Sequence, residues 1–184
     1  MKRKLNNINI RPSPLIEEWL VKPRILSKAL RRAVNSIQVK VLDQRFVKAL
    51  DDEYAVLNMQ ENELPFVRQV LLMGDNELPL TYGRVVIPPR TYQANLQAFE
   101  KLGERPIGET LLYNNPDVTR SEFAYSAYIA GYPIWDFIYQ HLKDMPPQTL
   151  WARRSVFYIK ENPLLITEVF LPFLPPYVAE DIDA

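Results

Sequence analysis

Three charged residues sit inside otherwise apolar, strand-like runs, and they are where chemistry is to be sought in this chain. Glu168 shares its alternation with Leu164, Ile166 and Phe170, while the intervening Leu165, Thr167, Val169 and Leu171 are mostly apolar too. A strand that is apolar on both faces is buried on both faces, so Glu168 points into a low-dielectric space. Arg68 alternates with Phe66, Val70 and Leu72, and Arg84 with Leu80, Tyr82 and Val86. An unpaired ion in such a place is costly, and a buried carboxylate responds by raising its pKa or finding a cation. Two outcomes follow. Glu168 pairs with Arg68 or Arg84, and the role is structural. Alternatively, the arginines are held for an anionic ligand, with Glu168 for a polar or reacting part of it. The planar guanidinium suits a carboxylate because it donates two parallel hydrogen bonds. An apolar chamber with a few convergent polar groups describes a small-molecule site.

Composition narrows the chemistry. The 184 residues are 47% hydrophobic and 24% charged, which fits one globular domain over residues 1–184. Twenty-two basic residues balance 22 acidic ones, so nothing favours nucleic acid as a partner. Without cysteine there is no disulfide, thiolate metal site or Cys nucleophile, and a single histidine disfavours a Ser-His-Asp triad. That residue, His141, shares an apolar helical stripe with Ile134, Phe137 and Ile138 and reads as packed structure. Glycine is scarce at five residues, and no Gly-rich phosphate loop occurs. No run is long enough to span a membrane, and the basic start lacks an apolar signal core. The chain is expected to be cytoplasmic.

The elements that must position the charges are legible from periodicity. Residues 1–13 read as a loose basic arm. Short helices are expected from Pro14 and after Pro23. From Gln38 the period changes to two, and Tyr54-Ala55-Val56-Leu57 is a second candidate strand. Two hairpins follow: Phe66–Met73 returning as Pro79–Ile87, and Ser155–Ile159 returning as Leu164–Leu171. Between them, Thr91–Leu102 has helical spacing, Val118–Ile129 reads as an aromatic strand, and Pro133–Met145 as a helix ended by Pro146-Pro147. Anchoring Pro88 on Pro172 sets Val85 on Val169 and Arg84 on Glu168 and, with a small offset, Arg68 on Arg154. This weak repeat suggests either a sheet with approximate two-fold character or a chance similarity between two short strand pairs.

Several segments in order resemble the chorismate lyase (4-hydroxybenzoate synthetase) family. They are Phe66-Val67-Arg68-Gln69-Val70-Leu71-Leu72, Gly83-Arg84-Val85-Val86-Ile87-Pro88, Leu102-Gly103-Glu104-Arg105-Pro106-Ile107-Gly108, Leu150-Trp151-Ala152-Arg153-Arg154-Ser155, and Pro163 to Pro172. The similarity covers most of residues 60–177 and thins before residue 38. It implies an α+β fold: a single antiparallel β-sheet with helices packed on it and helical flaps over a buried ligand pocket. It implies conversion of chorismate to 4-hydroxybenzoate and pyruvate without metal or organic cofactor, in the service of ubiquinone biosynthesis, by a monomer.

By the same resemblance, Arg68 holds the ring carboxylate, Ile107 adds backbone contact, and Glu168 approaches the hydroxyl end of the ring. Leu26 belongs to the flap, and Arg84 matches a basic position associated with ligand access or a second binding area. A dry pocket shaped for a flat hydroxy acid should also retain its product, so product inhibition is expected. The stretch Tyr125–Thr149 departs from the family pattern as an inserted helical segment that could thicken the core, cover the pocket or meet a partner. The competing reading is a non-catalytic domain of related fold that binds a small aromatic acid, as in effector-sensing domains of transcription regulators. Against it stand the short stretch before Phe66 and the lack of a helix-turn-helix pattern there. Arg68 and Glu168 argue against a third reading, a dead enzyme kept as a scaffold.

Overall fold

The computed structural model describes residues 11–180; the expected arm over 1–13 lies almost wholly outside them. Helix α1 (Pro14–Val21) begins as its sequence requires: Pro14 is in the first turn, and the Ser13 hydroxyl accepts from the Ile16 N–H. Helix α2 (Leu26–Ala33) follows Pro23. Strand β1 (Gln38–Phe46) leads to α3 (Asp51–Leu57), and the first hairpin is β2 (Phe66–Met73) with β3 (Pro79–Ile87). Helices α4 (Pro89–Ala94) and α5 (Leu96–Glu100) precede two short strands, β4 (Val118–Arg120) and β5 (Ala124–Tyr128). Helix α6 (Pro133–His141) and a second hairpin, β6 (Leu150–Ile159) with β7 (Asn162–Phe170), complete the described elements.

All seven strands form one antiparallel sheet in the order β1-β2-β3-β7-β6-β4, with β5 also pairing β6. The two hairpins therefore meet at the β3–β7 seam. Helices cover both faces. On one face α1 and α2 bury Trp19, Leu20, Leu26 and Leu30 against Leu80 and Phe170, while Phe99 and Leu112 pack on Val85, Ile166 and Leu164. On the other, Tyr54 and Leu57 of α3 pack on Val67, Val86 and Leu165, and Ile134 and Ile138 of α6 on Leu71, Tyr82 and Val169. Burial on both sides explains why β3 and β7 are mostly apolar on both of their faces. Among the described residues no helix is long and apolar enough to cross a membrane.

Five local expectations are corrected. Tyr54–Leu57 is the end of α3, not a strand. Asp51, Asp52 and Glu53 crowd its first turn, and the Glu53 carboxylate accepts from the Leu50 N–H at 2.8 Å. Acidic groups there favour a helix start. The expected helix 91–102 breaks at Asn95 (φ −129°, ψ 25°), whose side chain donates to the Thr91 carbonyl. The strand expected over 118–129 is interrupted at Ser121, whose hydroxyl accepts from the Val156 N–H of β6. Helix α6 stops at His141, four residues short of expectation, because the Pro146 ring would clash with the carbonyl of Leu142 in a continued helix. Finally, β6 begins at Leu150 and not at Ser155, which draws Arg153 into the sheet.

Helix α6, within the stretch 125–149, lies away from α1 and α2. Ile134 and Ile138 are buried on the face opposite α1 and α2, so α6 thickens the core there.

Candidate functional site

Register decides which charges share a face. In β2–β3 pairing Arg68 stands across from Val85, and in β3–β7 pairing Val85 stands across from Ile166 and Gly83 from Glu168. Alternation puts Arg68, Val70, Gly83, Val85, Ile166 and Glu168 on one face. Arg84 is across from Thr167 and faces the other way. The repeat that aligns Arg84 with Glu168 is thus out of structural phase, since it superposes residues of opposite faces.

Between the two packed clusters on the first face is a cavity of about 80 Å³. Its floor is Val70, Gly83, Val85 and Ile166; α2 contributes Leu26 and Ser27, and Arg105, Pro106, Ile107, Gly108 and Tyr113 form the facing wall. Arg68 and Glu168 both line it. They lie two strands apart and two residues out of line, so their Cα atoms are about 12 Å apart by strand geometry. The sequence-derived positions Arg68, Ile107, Glu168 and Leu26 are therefore gathered around one space. The amide of Ile107 heads the single π-type turn Gly108–Leu112 and meets no acceptor among the described residues.

Arg68 is 2% exposed. Its Nη1 donates to Gln44 Oε1 at 2.7 Å, and its Nη2 to the carbonyls of Gly103 at 2.8 Å and Arg105 at 3.4 Å. Those bonds occupy three of its five donors. The remaining two have no acceptor among the described residues. Burial pulls the Arg68 pKa down, and the nearby Glu104 charge acts in the opposite sense. No carboxylate forms an ion pair with Arg68 among the described residues, so a buried cation faces the cavity with donors to spare.

Glu168 pairs with neither arginine that sequence reasoning offered. Its Oε2 accepts from Arg153 Nε at 2.6 Å, and its Oε1 has no donor among the described residues. Arg153 stands across from Glu168 in the β6–β7 register. Counting back from a two-residue turn at Lys160-Glu161 would have found it; starting β6 at Ser155 hid it. Tyr113 is the other residue the sequence did not single out. Burial, and then the Glu168 charge, push its hydroxyl up to about 12, against the pull of Arg120 and Arg153. It therefore stands at neutral pH as an un-ionised donor in the cavity wall.

Arg84 stands apart from these residues. It does not line this cavity. It lies on the opposite face, where Nε and Nη2 bind the two oxygens of Glu53 at 2.7 and 2.9 Å and Nη1 donates to Gln69 at 3.1 Å. Burial works to lower its pKa, but the Glu53 bonds and charge raise it overall. There it is ion-paired with Glu53 and lines a second pocket with Asp43, Arg45 and Gln69.

Two flaps meet over the cavity. Arg31 of α2 donates from Nε and Nη2 to the two oxygens of Glu109, each at 3.2 Å, joining α2 to the π-type turn. Burial alone would raise the Glu109 pKa, but the Arg31 bonds and charge leave it lowered. Among the described residues no group of three His, Asp or Glu side chains is placed to hold a metal ion. Chemically, the cavity offers a cationic end, a carboxylate end, a neutral hydroxyl, and an apolar floor between them.

Known proteins resemble the chain in the same sense. A family profile described as "Chorismate lyase" matches residues 4–179, reaching back through α1 and α2 where the similarity noted above thins. A "Probable chorismate pyruvate-lyase" of Nitrosospira multiformis is 32% identical over 161 residues, 87% of this chain and 88% of that one. Another so described, from Pseudoalteromonas atlantica, is 31% identical over 177 residues, 94% of this chain and 87% of its own. Among solved structures, the PhnF C-terminal domain superposes with a TM-score of 0.59 at 12% identity, covering 77% of this chain and 87% of that one. The ligand-binding domain of a putative GntR-family regulator from Bordetella bronchiseptica gives 0.55 at 15%, covering 78% and 89%. At such identities the likeness is one of fold alone.

Proposed function

The chain belongs to the chorismate lyase family, and on that premise we propose that it eliminates pyruvate from chorismate to give 4-hydroxybenzoate, without a cofactor. The observation that carries the reading is the pairing of unlike ends in one cavity. Arg68 keeps unused donors at one end, and Glu168 an unused carboxylate oxygen at the other.

Chorismate is a cyclohexadiene ring with a carboxylate at one end, a hydroxyl opposite, and beside the hydroxyl an enolpyruvyl ether that carries a second carboxylate. The ring carbon bearing the hydroxyl loses its proton, and the adjacent ring C–O bond breaks with its electron pair leaving on the ether oxygen. The enolpyruvate takes up a proton and becomes pyruvate. The ring becomes aromatic, so the driving force is in the substrate. The protein's task is to orient, to neutralise charge and to exclude water. Arg68 receives the ring carboxylate, with the Ile107 amide beside it. Glu168 meets the hydroxyl end, where its free oxygen accepts a hydrogen bond or the departing proton. Leu26 closes the apolar side. The product would then serve as the ring precursor of ubiquinone.

Incubation of the purified protein with chorismate in chelator tests this. 4-Hydroxybenzoate followed by ultraviolet absorbance and pyruvate by lactate dehydrogenase should appear in equal amounts. Chorismate left intact, with hydroxybenzoate binding in a parallel titration, would instead favour the binding-domain reading.

A further inference from the structure

The Arg153 guanidinium does more than neutralise Glu168. It is 1% exposed, and its Nη1 donates to two backbone carbonyls, Leu20 at 3.2 Å and Pro23 at 2.6 Å. Leu20 belongs to the last turn of α1, which has no basic side chain of its own to satisfy its terminal carbonyls. Pro23 lies in the link to α2, three residues before Leu26, which walls the cavity. The guanidinium carbon also sits 4.1 Å from the ring centroid of Phe123, which fixes the plane of the group.

We propose that Arg153 is a positioning residue that couples closure of the α1–α2 flap to the orientation of the Glu168 carboxylate. The inference rests on the lyase reading in so far as Glu168 acts on the bound ring. The guanidinium is a rigid planar fork. If the flap lifts, the carbonyls of Leu20 and Pro23 move away and leave buried donors unpaired, which is costly. Arg153 then shifts towards new acceptors, and Glu168 loses the donor that holds its Oε2. With the flap closed, Oε2 is held and Oε1 is presented to the cavity. The flap and the carboxylate thus share one buried cation, and a change at either is felt at the other.

Reciprocity supplies the test. Hydrogen exchange is measured at the backbone amides between Leu20 and Leu26 in the unliganded parent, in Glu168→Gln and in Arg153→Lys. Both substitutions should speed exchange there by about tenfold, because an ammonium cannot span both partners and a neutral amide holds the guanidinium less firmly. Amides of β2 should not respond. In turnover, Arg153→Lys should lower kcat by about tenfold or more while KM for chorismate stays within about threefold, the pattern of a misplaced reacting group. Unchanged exchange at Leu20–Leu26 in Glu168→Gln would overturn the coupling, even if Arg153→Lys failed to fold. The exchange response in both variants, beside a parent that leaves chorismate intact, would overturn the lyase reading and leave the coupling standing.

Discussion

Glu168 stands directly across the β3–β7 seam from Gly83, so the residue beside the carboxylate on the cavity floor has no side chain. Space is the reason for this glycine, since its φ lies outside the left-handed region. A Cβ there would approach Val70 Cγ2 to 3.3 Å, and anything larger would enter the chamber. Gly83→Val should fold, because valine favours strands. It should raise the KM for chorismate and the dissociation constant of 4-hydroxybenzoate by about tenfold or more through lost volume. Steady-state kinetics and a product titration check this, and wild-type affinity would place the ring elsewhere.

Arg68 should matter as a fork and not only as a charge. Arg68→Met keeps much of the packing but removes every donor, and it should lower kcat/KM for chorismate by about 100-fold, the equivalent of one charge-assisted contact. Arg68→Lys should fall between parent and Met, because the ammonium cannot match a carboxylate bidentately. If Lys and Arg were equivalent in kcat/KM, a bidentate grip would be excluded.

The Glu53–Arg84 pair on the opposite face should behave as structure. Glu53→Ala leaves a buried guanidinium without its counter-ion and should cost about 3–5 kcal/mol in a denaturant titration. The KM of the folded fraction should not change, because neither residue lines the ligand cavity. A KM shift as large as that of Arg68→Met would return Arg84 to the binding machinery.

The contact between Arg31 and Glu109 should govern how fast product leaves. Both side chains are partly exposed, so the pair contributes about 0–1 kcal/mol and is screened by salt. Arg31→Ala should therefore weaken inhibition by 4-hydroxybenzoate several-fold. Raising the ionic strength should do the same in the parent and little in the variant. Inhibition that is insensitive to both would remove this contact from the release step.

The sequence carried the sheet because its strands are long, apolar and punctuated by polar turns. The pairing of hairpins and the residues Arg68 and Glu168 could be read from alternation alone. What could not be read was register. One residue of slip turns a side chain to the other face, so Arg84 and Glu168 looked equivalent when they are not. Arg153 was missed for a related reason. The start of β6 is marked by Trp151 and Ala152, which suit a strand or a loop, and only pairing with β7 draws it into the sheet. Tyr54–Leu57 failed differently: four apolar residues fit either period, and the acidic turn before them decided for a helix.

The central claim is that Arg68 and Glu168 hold opposite ends of one ring in one chamber. A crystal structure with 4-hydroxybenzoate bound tests it most directly. The expected result is a ring lying over Gly83, its carboxylate on the Arg68 guanidinium and its hydroxyl within hydrogen-bond reach of Glu168 Oε1. A ring found away from either residue, or bound with its carboxylate turned toward Glu168, would contradict the account.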